Sequence, residues 1–329
     1  MHRRDFLGLT TGLLAGLPLA GPFARAQAPN VPSRPAPSGS LDAAAYGRER
    51  RIAATSFGDI AYLERGEGKA ALFLHGFPLS SFQWRGVLAP LSAHRRCIAP
   101  DFMGLGHTRV AKGQNLSPGG QAAMLVALLD RLSIPVADLV ANDSGAAVAQ
   151  LLAAHHPERV RSLLLTNGDS EQDCPPAALR PVIELAKTGT YADTWLAPWL
   201  ADKTLARSAK GIGGMCYANP AHPTDEAIEA YFAPILASRD RKDLVHAFTR
   251  ALEANALAGV EPALRRFKGP VRIVWGIADM LFSPATPDYL DRTFGRSLGV
   301  RRLEGSRLFW PEERPDVIIE EARRLWETA

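Results

Sequence analysis

The chain has 329 residues, 47% of them hydrophobic, and a formal net charge of +4 at pH 7. These values predict a packed globular protein, with either one large α/β domain that carries an insertion or two ordinary domains. The small charge argues against nucleic-acid binding, and the lack of heptads or fixed-period repeats argues against a coiled coil or solenoid, so the expected partner is a small-molecule substrate in a pocket.

The N-terminus resembles an export signal. Arg3 and Arg4 precede a stretch rich in Gly, Leu and Ala, and residues 24–26 form an A-x-A cleavage site, so residues 1–26 are predicted to be a twin-arginine signal peptide. The apolar stretch is short and interrupted by Gly and Pro, so we expect no stable membrane span after signal removal. Residues 27–40, rich in Pro, Ser and Ala, predict a flexible leader. The expected location is periplasmic or secreted in a bacterium; a frayed basic tail is the alternative.

Three cysteines bear on that compartment, because disulfides persist in the periplasm. Cys97 lies in an apolar run and is expected to be a buried core residue. Cys174 and Cys216 fall in one predicted insertion and could pair, although the sequence does not give the geometry of the sulfur atoms. No cluster of Cys or His has metal-ligand spacing, so neither a metal nor another cofactor is expected. The sequence makes no prediction of oligomeric state.

Short apolar runs then alternate with helical patterns, which is typical of a mostly parallel sheet with helices on both faces. Strands are predicted at 51–56, 60–64, 71–74, 96–100, 138–142, 160–167, 271–275 and 299–303, the first two forming a hairpin that turns at Gly58-Asp59. Helices are predicted at 117–132, 146–156, 287–294 and 312–327. Residues 169–268 are too many for one crossover and predict a helical cap, which leaves 41–168 and 269–329 as the α/β core.

The run LVANDSGAA at 139–147 predicts a sharp turn between a strand and a helix. In such a turn the residues two before and two after its centre must be small. Centring on Asp143 places Ala141 and Gly145 at these positions, whereas centring on Ser144 places Asn142 at the first, where it fits poorly. Asp143 is therefore the predicted nucleophile at the carboxyl end of its strand. The alternative is an aspartate that N-caps the following helix.

A second motif, His75-Gly76-Phe77-Pro78, directly follows the predicted strand 71–74. The backbone N–H of Phe77 can join that of Ser144 in binding an oxyanion or a leaving group. His75 is expected to brace this loop and not to transfer protons. The Gly-rich turn at 101–106 lacks the full dinucleotide motif and the Walker lysine, which argues against nucleotide binding.

Together these motifs resemble the α/β-hydrolase superfamily, and within it the haloalkane dehalogenases and epoxide hydrolases that use an aspartate nucleophile. The matching segments are FLHGFP at 73–78, CIAPDFMGLG at 97–106, the turn at 139–147, HPERV at 156–160, VWGIAD at 274–279 and PEERP at 311–315. The resemblance implies an α/β-hydrolase fold with a helical cap. It also implies that Asp143 is the nucleophile and that Asp279 is the acid that orients a catalytic histidine.

The departures from the family pattern concern the leaving group and the base. Ser144 and Phe77 occupy positions where haloalkane dehalogenases hold a halide with Trp and often Asn. The family histidine falls at or next to Leu308, and no substitute base is nearby in the sequence. Without a base that activates water, hydrolysis of an ester on Asp143 should slow by roughly 10²–10⁴-fold.

Several side chains of the predicted cap are candidates for lining a substrate pocket. These are Trp195, Trp199, Tyr191, Tyr217, Tyr231 and His246. The tyrosines could donate hydrogen bonds to an opening epoxide, or be core aromatics with a hydroxyl at the surface. His246 could be a displaced base, or could lie on a helix face for ordinary reasons.

The expected function is hydrolysis of a small, largely apolar substrate of epoxide or alkyl-halide type through Asp143, with a displaced or non-standard base, either His246 or a carboxylate. One alternative is a lyase or isomerase that uses Asp143 as a general base. The other is a catalytically inactive binding protein of the same fold.

Overall fold

The computed structural model describes residues 41–329. The predicted signal peptide at 1–26 and the predicted leader at 27–40 lie outside the described residues. Between residues 41 and 329, no helix combines the length and the apolar character needed to cross a bilayer.

The sheet of the described region has nine strands in the order β1-β2-β4-β3-β6-β7-β8-β9, and β5 pairs with β2. Pairing is antiparallel where β2 meets β1, β4 and β5, and parallel from β4 through β3 to β9. The strands are β1 Arg51–Thr55, β2 Gly58–Arg65, β3 Ala70–Leu74, β4 Arg96–Pro100, β5 Arg109–Val110, β6 Ala137–Asp143, β7 Val160–Gly168, β8 Val271–Gly276 and β9 Ser297–Leu303.

Helices flank the sheet and fill the long interval between β7 and β8. The helices outside that interval are α1 Ala43–Glu49, α2 Leu88–Leu91, α3 Pro118–Arg131, α4 Ser144–His155, α12 Thr286–Thr293, α13 Trp310–Glu313 and α14 Pro315–Glu327. Those within it are α5 Arg180–Lys187, α6 Ala197–Ala201, α7 Lys203–Arg207, α8 Ile212–Cys216, α9 Asp225–Leu236, α10 Arg239–Ala251 and α11 Glu261–Arg266. Short 3-10 helices span Ser81–Trp84, Pro157–Arg159 and Ala177–Leu179, and a π-helical turn spans Ala192–Leu196. The predicted fold class, a mostly parallel sheet with helices and an inserted helical cap, is confirmed.

The centre of the sheet determines where a ligand can bind. All residues of β3 and β6 are buried, as expected for parallel strands covered by helices on both faces. From β3 the chain continues into β4 on one side, while β6 pairs with β3 on the other side. Such a reversal of strand order opens a crevice beyond the carboxyl ends of the two strands. Asp143 is the last residue of β6 and therefore lies at this crevice.

Local structure departs from the sequence prediction at three places. The first hairpin turns at residues 56–57, because Thr55 pairs with Gly58, and the predicted turn at Gly58-Asp59 is wrong. The N-cap Asp42, whose carboxylate accepts from the Ala45 N–H at 2.6 Å, begins a helix that the apolar pattern did not reveal. The predicted helix at 312–327 is two helices, because Pro315 lacks the N–H needed to continue a helix and begins a new one.

Asp138, in the first half of β6, is fully buried and binds two arginines. Its carboxylate accepts from Nε of Arg95 at 2.8 Å, Nη1 of Arg161 at 2.9 Å and Oγ of Ser162 at 2.7 Å. Both guanidinium groups are themselves largely buried. This cluster ties β6 to β7 and to the loop before β4.

Replacing Asp138 with Ala should lower the free energy of unfolding by about 3 kcal/mol or more, because two largely buried arginines lose their counter-charge. Urea denaturation followed by circular dichroism measures the change. Asp130→Ala is the matched control, since Asp130 pairs with Arg159 but is largely exposed, and should cost less than about 1 kcal/mol. Equal losses in the two variants would contradict the assignment.

Candidate active site

The junction of β6 and α4 has a strained backbone at Asp143. This residue adopts φ 54° and ψ −128°, and Asp143 and Ser133 are the two non-glycine residues with positive φ among residues 41–329. Such a conformation costs of order 1–3 kcal/mol and persists only where the surroundings enforce it. The side chain makes no capping hydrogen bond to α4, so the alternative role as an N-cap is wrong.

Three glycines enforce the turn, because the backbone packs too closely for any side chain. A Cβ atom on Gly145 would lie 2.5 Å from the Leu74 carbonyl oxygen, and one on Gly168 would lie 2.5 Å from the Asp143 carbonyl oxygen. A Cβ atom on Gly76 would lie 2.8 Å from the Cβ of Asp143. The ends of β3, β6 and β7 therefore converge on Asp143.

Two backbone groups face the Asp143 carboxylate. The N–H groups of Phe77 and Ser144 lie close enough to lower its pKa, as expected for an oxyanion-binding pair. His75 stabilises the loop that presents Phe77. Its ring is buried and hydrogen-bonded at both nitrogens. Nδ1 lies 2.9 Å from the Gly76 carbonyl oxygen, and Nε2 accepts from the Phe102 N–H at 3.1 Å. Burial lowers the pKa of His75, so this histidine is a structural, neutral group.

A largely apolar cavity lies over Asp143. Tyr191, Trp195 and Trp199 of the cap line it, as does Ser144. Ser144 is 4% exposed, and its hydroxyl has no hydrogen-bond partner among the described residues. Cys174 and Cys216 also line the cavity, and both are free thiols. Cys97 is buried.

Tyr217 and Tyr231, the other two tyrosine candidates, are not among the residues that line this cavity. Their hydroxyls donate to Glu312, at 2.5 Å to Oε1 and 2.8 Å to Oε2 respectively. Glu312 also forms an ion pair with Arg85, and its side chain is completely buried. A buried carboxylate requires several donors, which fixes both tyrosines as links between the cap and the core.

His246 is also absent from the cavity, so the structure does not support it as a displaced base. It is almost completely buried on α10, and its Nε2 accepts from the Ala192 N–H at 3.1 Å. Burial lowers its pKa.

Leu308 and Asp279 occupy the positions at which the family resemblance implies a histidine and its acid. Leu308, at or next to which the resemblance places the histidine, is 3% exposed and presents an apolar side chain to the cavity. Asp279 is not among the cavity-lining residues. Its Oδ2 accepts from Asn167 at 2.8 Å and its Oδ1 from the Leu281 N–H at 2.8 Å. Burial raises the pKa of Asp279.

A second carboxylate, which sequence reasoning missed, does line the cavity. Asp169 directly follows β7 and is 7% exposed, and the Cys174 thiol lies close enough to lower its pKa. Burial raises its pKa to about 7. The sequence predicts Asp169 as the first residue of the cap, and the register that pairs Gly168 with Asp143 places it beside the nucleophile.

The charge of Asp169 adds to the effect of burial on the pKa of Asp143. Burial raises the pKa of Asp143 well above its ordinary value, and the charge of Asp169 raises it further, although the Ser144 N–H acts in the opposite direction. Burial in an apolar cavity disfavours the charged form, and a like charge does the same. The surroundings therefore disfavour the ionised form of both Asp143 and Asp169.

The chain is similar to known proteins in both sequence and structure. Residues 70–309 match the family model described as alpha/beta hydrolase fold. Over 279 residues the chain is 25% identical to haloalkane dehalogenase 2 of Mycobacterium tuberculosis, covering 83% of this chain and 93% of that protein. Over 115 residues it is 38% identical to an epoxide hydrolase of Caballeronia sordidicola, covering 32% of this chain and 35% of that protein. Haloalkane dehalogenase DbeA of Bradyrhizobium elkani superposes with a TM-score of 0.69 at 25% identity, covering 85% of this chain and 99% of that one.

Replacing Asp143 with Asn should stabilise the protein at pH 8, and the gain should shrink toward pH 4. The unfolded chain loses the Asp143 proton near pH 4, whereas the folded protein resists that loss because burial raises the pKa. The wild-type free energy of unfolding therefore falls as pH rises above about 4, and the amide has no proton to lose. Urea denaturation at three pH values measures the difference. A gain that is the same at every pH would contradict this account.

Proposed function

We propose, since the chain belongs to the α/β-hydrolase fold family, that it hydrolyses a small, largely apolar substrate through an ester formed on Asp143. It is related, at low identity, to haloalkane dehalogenases and epoxide hydrolases. The observation that carries the proposal is the strained Asp143, whose carboxylate meets two backbone N–H groups on one side and an apolar cavity on the other.

The first step is attack by an Asp143 oxygen on an electrophilic carbon of the substrate. The bond from that carbon to an epoxide oxygen or a halogen breaks, and an ester forms. The N–H groups of Phe77 and Ser144 then face the ester carbonyl oxygen. They stabilise the oxyanion that develops when water adds to the carbonyl carbon.

The leaving group requires a donor, and two hydroxyls are available. Tyr191 lines the cavity, and burial raises the pKa of its phenol, with smaller contributions from Cys216 and Asp143. The unpartnered hydroxyl of Ser144 lies next to the nucleophile. A hydroxyl can bind an opening epoxide oxygen and protonate it, so these donors favour an epoxide-type substrate over an alkyl halide.

A second candidate is a lyase or isomerase in which Asp143 takes a proton from carbon. The raised pKa of Asp143 favours this function, because burial strengthens the carboxylate as a base. No covalent intermediate is then formed. An inactive binding protein with the same cavity is the third candidate.

Exposure of the purified protein to styrene oxide and to bromohexane tests these candidates. We expect release of diol or bromide, or a mass increase on Asp143 in intact-protein spectra, and neither in Asp143→Asn. Turnover of a carbonyl substrate without an adduct, abolished in Asp143→Asn, would favour the proton-transfer enzyme. Activity that survives unchanged in Asp143→Asn would contradict both enzymatic functions.

We also propose that the chain is exported through the twin-arginine route, on the sequence of residues 1–26 alone. Cells that express the full chain should contain a shortened protein in the periplasmic fraction or the medium. Replacing both Arg3 and Arg4 with Lys should retain the protein, uncleaved, in the cytoplasm. Unchanged fractionation of that variant would contradict the proposal, and Arg34→Lys, which makes the same exchange outside the predicted signal, serves as the control.

A further inference from the structure

We propose that the carboxylate of Asp169 is the general base that activates water for hydrolysis of the Asp143 ester, in place of the histidine that Leu308 replaces. The inference rests on the proposed function, because it requires an ester on Asp143. It identifies the displaced base as a carboxylate on the sheet.

The sheet brings Asp169 next to the nucleophile. In the parallel pair formed by β6 and β7, Asp143 is the partner of Gly168, and neighbouring strands lie about 4.8 Å apart. The backbones approach so closely that a Cβ atom on Gly168 would meet the carbonyl oxygen of Asp143. Asp169 is the next residue, and both carboxylates line the same cavity. A water molecule that attacks an ester on Asp143 would therefore have Asp169 beside it.

Asp169 is also held in a fixed position relative to Asp143. Its carbonyl oxygen accepts from Nε2 of Gln150 at 2.8 Å, and the same nitrogen donates to the Ala146 carbonyl oxygen at 3.1 Å. Gln150 belongs to α4, the helix that begins directly after Asp143. The helix α4 therefore connects the two residues: it begins directly after Asp143, and its Gln150 binds the backbone of Asp169.

Asp169 is chemically available to accept a proton. None of the ion pairs formed by residues 41–329 involves it, so no cation has to be displaced. The ionisable groups that face it are Asp143, Asp173 and the Cys174 thiol. By contrast, Asp279 accepts hydrogen bonds at both oxygens outside the cavity, and Glu312 is bound to Arg85 and two tyrosines.

The second step is hydrolysis of the ester on Asp143. Water adds to the ester carbonyl carbon and gives one proton to Asp169, while the N–H groups of Phe77 and Ser144 hold the oxyanion. Collapse of this intermediate breaks the bond between the carbonyl carbon and the alkyl oxygen. The alkoxide takes the proton back from Asp169 and leaves as an alcohol. Asp143 is left as a carboxylic acid, whose proton is released before the next attack.

The rate of ester hydrolysis should rise with pH and level off above neutrality. Burial raises the pKa of Asp169 to about 7, so the fraction of ionised base increases through that value. The Cys174 thiol lowers this pKa, so Cys174→Ala should move the midpoint to higher pH. Cys216→Ala is the matched control, because Cys216 lines the same cavity and contributes nothing to the pKa of Asp169.

The decisive variant is Asp169→Asn, followed by intact-mass spectra after mixing with styrene oxide or bromohexane. Ester formation should continue while ester decay slows by about 100-fold or more, so that the adduct approaches one per protein. Asp130→Asn, which changes an exposed carboxylate paired with Arg159, should leave the decay rate unchanged. Adding Leu308→His to Asp169→Asn should restore decay, because an imidazole again lies in the cavity.

Two results would overturn the assignment of Asp169. One is ester decay at the wild-type rate in Asp169→Asn. The other is a wild-type decay rate that does not change from about pH 5 to about pH 9, which tests the base without any substitution. A wild-type protein that forms no adduct and releases no product overturns the proposed function as well, so the two failures are distinguishable.

Discussion

The close approach of three strand ends around Asp143 is the constraint on which the site depends. The backbone at this residue lies in a region that side-chain-bearing residues avoid, and no capping hydrogen bond compensates for it. What holds it is contact: Gly145 lies against the end of β3, Gly168 against Asp143 itself, and Gly76 against its side chain. Because of this packing, the carboxylate, the two N–H donors and Asp169 occupy fixed relative positions before any substrate arrives.

The two buried carboxylates of β6, one near each end, have opposite electrostatic surroundings. Asp138 receives two guanidinium groups and a hydroxyl, so its charge contributes to the stability of the fold. Asp143 receives two backbone N–H groups and a neighbouring carboxylate, so its charge is resisted. Natural sites often sacrifice stability for reactivity in this way. One strand therefore carries both a structural anchor and a reactive group, separated by its own length.

The parts of the site that depend on neighbouring residues could be predicted from the sequence. The spacing of small residues around Asp143 and the run before Phe77 indicated the turn and its donors without any knowledge of the cap. The cap itself was less predictable, because Tyr217 and Tyr231 are fixed by Glu312, 95 and 81 residues further along the chain. Asp169 was missed for a related reason: its partner in space, Asp143, lies across a strand pairing that only the register of β6 and β7 reveals.

Hydrogen bonds join the cap to the C-terminal segment on one side of the cavity. Glu313 accepts from the Ala218 and Asn219 N–H groups at 3.0 and 2.8 Å, and the Phe309 N–H donates to the Cys216 carbonyl oxygen at 2.9 Å. The same segment is also held to the sheet, because Nδ2 of Asn142, the residue before Asp143, donates to the Leu308 carbonyl oxygen at 3.1 Å. A displacement of the cap would therefore change the part of the cavity that the cap helices line, while Leu308 and both carboxylates remain attached to the strands. The reacting groups would stay where the strands hold them, so the shape of the cavity can vary without disturbing its chemistry.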